Sequence, residues 1–165
     1  MSYRYAHRAG LSLMECMIAT AILSVSVVAV TEAIMSGQAQ SHHTVRSAQA
    51  MALAEALMEE IIALPYADPQ DTVALGPDTG ETTRPLYDNC DDFHGYTELP
   101  GELRDAMGQL LPQQAQAFRR SVTAAYTSIT VPQFGTAAVG LNVQVTVSDG
   151  KQSWSINRFI AEPIE

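Results

Sequence analysis

From Leu11 to Val30 the chain reads LSLMECMIATAILSVSVVAV, an apolar run of membrane-spanning length interrupted by one charge, Glu15. Beyond it the pattern changes period. Ala50, Leu53, Ala54, Leu57, Ile61 and Leu64 recur at helical spacing, the signature of a stripe packed on a domain, while Glu55 and Glu59 fall on a solvated face. No Pro occurs before Pro65 and only Gly37 interrupts, so a single helix is expected from about Leu11 to Leu64. At 1.5 Å per residue it would be roughly 80 Å long, against a hydrocarbon core of about 30 Å. From Pro65 to about Pro100 the chain turns to Pro, Gly, Asp and Thr and reads as loop. A short helix is expected over Glu102–Leu111, with Leu103, Met107, Leu110 and Leu111 on one side and Pro112 as its stop.

The last third alternates with period two. Leu141, Val143, Val145 and Val147 interleave with Asn142, Gln144, Thr146 and Ser148, and Asp149-Gly150 signals a hairpin. A two-residue turn there sets Ser148 opposite Lys151, Val145 opposite Trp154 and Val143 opposite Ile156, with both apolar pairs on one face. A further strand is expected within Phe118–Val131, with a bulge or break where its apolar parity shifts between Val122 and Ile129. The fold class is therefore α+β: a long N-terminal helix packed on a small C-terminal antiparallel sheet.

Composition sharpens this outline. The 165 residues suffice for one ordinary core plus appendages. Lys and Arg number 9 against 18 Asp and Glu, and the cations are scattered, so a nucleic-acid-binding stripe is not expected. Two cysteines, Cys16 and Cys90, exclude a disulfide scaffold. Arg4, His7 and Arg8 precede the apolar run and no Lys or Arg follows until Arg46, which orients a spanning helix with its N-terminus in the cytoplasm.

Three interpretations of the run compete. A cleaved secretory signal would be shorter, would lack an internal carboxylate and would end in a small-residue cleavage site, which Thr31 and Ala33 supply poorly. A plain single-pass anchor explains length and orientation but not Glu15, because an acid in hydrocarbon is costly and asks for a partner. In the third, Arg8-Ala9-Gly10-Leu11-Ser12-Leu13-Met14-Glu15 resembles the class III signal of type IV pilins and type II secretion pseudopilins, a basic leader ending in Gly before an apolar residue and then Glu.

The resemblance implies cleavage between Gly10 and Leu11 by a prepilin peptidase and methylation of the new Leu11 amine. It also implies a salt bridge from Glu15 to a neighbouring subunit's amine, and assembly with other pilin or pseudopilin subunits on an inner-membrane platform. The chemistry agrees: an amine and a carboxylate, each expensive in lipid, neutralise one another when paired. Leu11 stands where the family commonly has Phe. Glu32 takes the place of a helix-breaking Pro frequent in major pilins, so the minor pilins and minor pseudopilins fit better. The stretch Ala52–Glu60 also resembles the corresponding helix of their smaller members. The implied organisation is a leader over 1–10, a transmembrane and fibre-core helix over 11–36, and an external head over 37–165. Within the head, helix runs to about residue 64, loop over 65–117 and antiparallel strands over 118–161.

The densest polar constellation is Tyr87-Asp88-Asn89-Cys90-Asp91-Asp92-Phe93-His94-Gly95-Tyr96. Asp88, Asn89, Asp91 and Asp92 offer hard oxygens suited to Ca²⁺, and the competing reading is an acidic turn whose side chains bind the loop backbone. No EF-hand spacing is present, and Cys90 with His94 supplies only half a zinc site. His42-His43 reads as interfacial polarity and Cys16 as a small packing residue. The sequence has no GxSxG, P-loop or HExxH, so no catalytic residues and no resident cofactor are expected. A membrane-anchored periplasmic enzyme or ligand-binding domain is the rival to a structural subunit.

Overall fold

The computed structural model describes residues 12–69, 74–131 and 135–163. Helix α1 spans Leu13–Ile62, and a four-stranded antiparallel sheet follows in the order β1 (Thr97–Glu98), β2 (Arg119–Val131), β3 (Thr136–Ser148) and β4 (Ser153–Ala161). The chain forms two compact units: one ends at Thr44, and the other spans Val45–Glu165. Unit 1 is helix without a core, since every described residue through Arg46 is exposed. Among the described residues, the buried core lies entirely in unit 2.

The helical stripe is as its period requires. Ala50, Ala54, Leu57 and Ile61 are buried, Met58 joins them, and Leu53 and Leu64 pack at the margin, while Glu55 and Glu59 are exposed. Against this stripe lie Val122 and Ala124 of β2, Leu141, Val143, Val145 and Val147 of β3, and the half-buried Trp154, Ile156 and Ile160 of β4. The Trp154 indole N–H donates to Ser47 Oγ at 3.1 Å and its ring meets Phe118 edge-on at 6.2 Å. Arg46 lies over the Phe118 ring and pairs with Asp149 at 2.9 Å.

Where α1 ends, the Cys90 thiol donates at 3.3 Å to the Ile61 carbonyl, which also accepts the Leu64 N–H, and at 3.1 Å to the Leu64 carbonyl just beyond the helix. Burial, then the Asp91 and Asp92 carboxylates, push this thiol up to about 11. A second tie is ionic. Arg84 forks onto Glu60 of α1 and reaches Glu98, whose carboxylate also accepts from Arg120 Nε at 2.6 Å and from the Arg104 N–H at 3.0 Å. Arg120 is buried in the sheet and reaches the Arg104 carbonyl at 2.6 Å.

Three expectations are corrected. Residues 102–111 form no helix: Arg104 and Leu110 make an isolated antiparallel bridge, and the Leu111 N–H donates to the Leu103 carbonyl. Asp105 Oδ1 accepts the N–H groups of Met107 and Gln109, Gly108 adopts φ +77°, and the Gln116 amide clamps Leu103 to Leu111. A side chain competing for backbone donors and a left-handed glycine outweigh helical spacing here.

The β3–β4 register is also displaced, with Val147 opposite Trp154, Val145 opposite Ile156 and Ser148 opposite Ser153. Asp149 Oδ1 accepts both the Lys151 and Gln152 N–H groups, which turns the connection into a four-residue loop. The slip is two residues, so every side chain keeps its face. Finally, β2 has no bulge: its pairing with β3 runs unbroken from Arg119↔Ser148 to Val131↔Thr136. From Ala125 to Thr130 the strand is exposed on both faces, so parity there carries no burial constraint.

Candidate functional site

The apolar half of α1 is the first candidate. Leu13, Met14, Met17, Ile18, Ile22, Leu23, Val25, Val27, Val28 and Val30 are all exposed, so apolar surface runs around the circumference of the helix. A helix apolar on all sides with no core of its own has the surface of a membrane span or of a partner-buried helix. It is long and apolar enough to cross a membrane near the N-terminus. Gly10 and Leu11, the expected cleavage and methylation positions, lie outside the described residues.

Glu15 is engaged in a way the sequence reading overlooked. Its Oε2 accepts the Ser12 N–H at 2.8 Å, and the Glu15 N–H donates to Ser12 Oγ at 3.2 Å. Ser12-x-x-Glu15 is thus a reciprocal capping box that satisfies two orphan donors of the first turn, a pattern visible in the sequence itself. Serine and threonine hydroxyls along the span bond back to carbonyls, as Thr20, Ser24, Ser26 and Thr31 do, so they bring little exposed polarity.

The acidic loop is the second candidate, and the structure divides its four expected ligands. Asn89 Oδ1 accepts the Asp91 and Asp92 N–H groups, and Asp92 Oδ2 accepts those of Asp88 and Asn89. Asp91 accepts the Tyr126 hydroxyl at 2.5 Å, tying the loop to β2. Burial, with the Asp92 charge, holds Asp91 above the ordinary carboxylate range despite that bond. Asp88 and Asp92 do come together, joined by Glu81, with one oxygen from each within 4.8 Å of the others. Glu81 was missed because it approaches from an earlier loop. Burial, partly offset by the Asp78 N–H, and then the Asp92 and Asp88 charges raise its pKa. One oxygen from each carboxylate supplies three of the six to eight ligands that Ca²⁺ takes.

Cys90 and His94 are committed to separate backbone partners. The thiol bonds carbonyls at the end of α1, whereas His94 Nδ1 accepts the Ala124 N–H at 3.1 Å at the open edge of β2. Compared with protein families, curated proteins and solved structures, the chain matches none.

Proposed function

We propose that this chain is a minor pilin or minor pseudopilin, a structural subunit of a type IV pilus or type II secretion pseudopilus. The observation that carries the reading is the Arg8-Ala9-Gly10-Leu11…Glu15 signal at the head of a helix whose apolar surface is exposed all round. Such a helix needs lipid before assembly and the helices of neighbouring subunits after it, while the head keeps its own core. In this reading the prepilin peptidase cuts after Gly10 and the Glu15 carboxylate exchanges the Ser12 N–H for the charged amine of a neighbour, which neutralises two charges in an apolar surrounding at once. The N-terminus faces the cytoplasm and the head lies outside the inner membrane. The reading assigns no catalysis to the head.

Mass spectrometry of membrane-extracted protein from a host with an active prepilin peptidase tests this. A mature chain starting at Leu11, with or without a methyl group, is expected, and an intact leader refutes the proposal in favour of a plain anchor. With Glu15→Ala, cleavage should persist and incorporation into fibres should fail. Normal incorporation would remove Glu15 from the mechanism.

A further inference from the structure

Beside its buried stripe, the head portion of α1 carries a second seam. Gln49, Ala52, Ala56, Glu59 and Ala63 recur at intervals of three and four, the spacing of a helix–helix contact, and all five are exposed. They line one side of a groove made of two hollows of about 260 and 570 Å³, which share Leu53 and together follow the helix for roughly 20 Å. Alanine at three of the five positions lets the backbone of another helix come close. The groove is polarised along its length. Beside Gln49 and Ala52 its far wall is Pro112, Gln114 and Ala115, without a charge. Beside Ala56 and Ala63 it is Arg84, Arg104, Asp105 and Arg120. Arg84 and Arg120 are committed to Glu60 and Glu98, and Asp105 Oδ1 accepts the Met107 and Gln109 N–H groups. Arg104 is exposed, donates only from Nη1 to the Gly108 carbonyl, and makes no ion pair among the described residues. The groove therefore holds one cation able to take a carboxylate.

We infer that the groove receives residues 25–35 of α1 from a second copy of this chain, with that copy's Glu32 on Arg104 and both helices running the same way. Glu32 is the one charge between Glu15 and Arg46, and it has no ion pair among the described residues. It shares a helix face with Val25, Val28 and Ala29, whereas Ser36, Gly37 and Gln38 follow it. The parallel orientation lays Val25 and Val28 along the uncharged end of the groove and brings Glu32 to the charged end. The antiparallel one would set Ser36 and Gln38 against Pro112 and the valines against Arg84 and Glu60. Parallel helices are also what chains inserted in one membrane present. Since Glu32 lies well before Gln49 on α1, the contact joins copies at different heights along a common axis, so it is heterologous and propagates into a fibre. It rests on the fibre-subunit reading and gives Glu32 a partner within that fibre.

The test uses the full chain in its own host, with fibres sheared from cells after copper-phenanthroline oxidation. In a Cys16→Ser background, a tagged copy carrying Val25→Cys should form a mixed disulfide with a differently tagged copy carrying Gln114→Cys, and Glu32→Cys should do so with Arg104→Cys. Met35→Cys should not cross-link to Gln114→Cys. Glu32→Arg alone, or Arg104→Glu alone, should lower the Val25–Gln114 yield roughly five-fold or more, and the two together should restore it. Trp154 emission matching the parent shows that each variant keeps its head folded. Fibres that contain the wild-type chain but give no Val25–Gln114 disulfide overturn this contact and leave the fibre reading standing, whereas a leader left uncleaved overturns both. Preferential cross-linking of Met35→Cys overturns the parallel orientation, and charge reversals without effect, or without rescue by the double reversal, overturn the Glu32–Arg104 pair.

Discussion

Replacing Glu98 by Leu should be among the most damaging single substitutions in the head. Glu98 and Arg120 are both buried, and the Glu98 carboxylate accepts from Arg120, Arg84 and the Arg104 N–H. Arg84 keeps Glu60 when Glu98 is lost, but Arg120 retains only carbonyls, Arg104 O at 2.6 Å and Leu53 O at 3.4 Å. A cation is then left in the core without a counter-charge, which costs about 3–5 kcal/mol. A domain of this size has about 5–15 kcal/mol in all, and the loss corresponds to a melting shift of roughly 10–20 °C. Arg120→Met should cost less, because Glu98 keeps the Arg84 guanidinium at 3.3 Å and the Arg104 N–H at 3.0 Å. The double variant Glu98→Leu/Arg120→Met removes both charges and strands only the Arg104 N–H, so it should be about 2–3 kcal/mol more stable than the sum of the single losses implies. Denaturant titration in mild detergent, followed by the emission of Trp154, reads this directly, because the only Trp of the chain sits between Phe118 and Ser47. Single losses that add within about 0.5 kcal/mol, or a Glu98→Leu cost below about 1 kcal/mol, would refute the argument.

Gly140→Ala should destabilise the β3–β4 end by about 1–3 kcal/mol or more in the same titration, because its Cβ would lie 2.3 Å from the Ile160 carbonyl oxygen, a backbone atom that cannot swing aside. Leu57→Ala empties a fully buried position on the α1 stripe and should cost about 2–5 kcal/mol; a cost under about 1 kcal/mol would mean the stripe is not the core. Cys90 makes alkaline pH destabilising. Its folded pKa is raised from 9.0 to about 11, so its contribution is complete below pH 9 and is lost as pH rises toward 11, where the unfolded thiol ionises first. Melting curves across that window should fall less steeply for Cys90→Ser than for the parent, and parallel curves would exclude the thiol as a cause.

Much of this fold is legible from periodicity. The stripe from Ala50 to Ile61 and the alternation from Leu141 to Val147 are each dictated by one buried face, and burial is what periodicity reports. Errors fall where a single side chain redirects the backbone. Asp149 lengthens the hairpin loop and Asp105 with Gly108 replaces a helix by a bridged turn, although the apolar spacing of 102–111 suits a helix. In the acidic loop, composition identified Asp88 and Asp92, but Asn89 Oδ1 is taken by the Asp91 and Asp92 N–H groups and the Asp91 carboxylate by the Tyr126 hydroxyl, and Glu81 enters from elsewhere. The Ser12–Glu15 capping box follows a spacing present in the sequence, in which one carboxylate serves both as a lone charge and as a helix cap.

By itself the sequence determined the elements whose cause is local: an apolar span with one early acid, an amphipathic continuation, and strands with one apolar face. Each follows from the interval between like residues along a regular backbone. Tertiary structure alone decided which distant groups meet. Glu98 joins Arg120 and Arg84, Cys90 meets the end of a helix far upstream, and His94 takes the Ala124 N–H at the edge of β2. Such pairings depend on the path of the chain through loops, where no repeating interval links the partners, so only the folded backbone brings them within bonding distance.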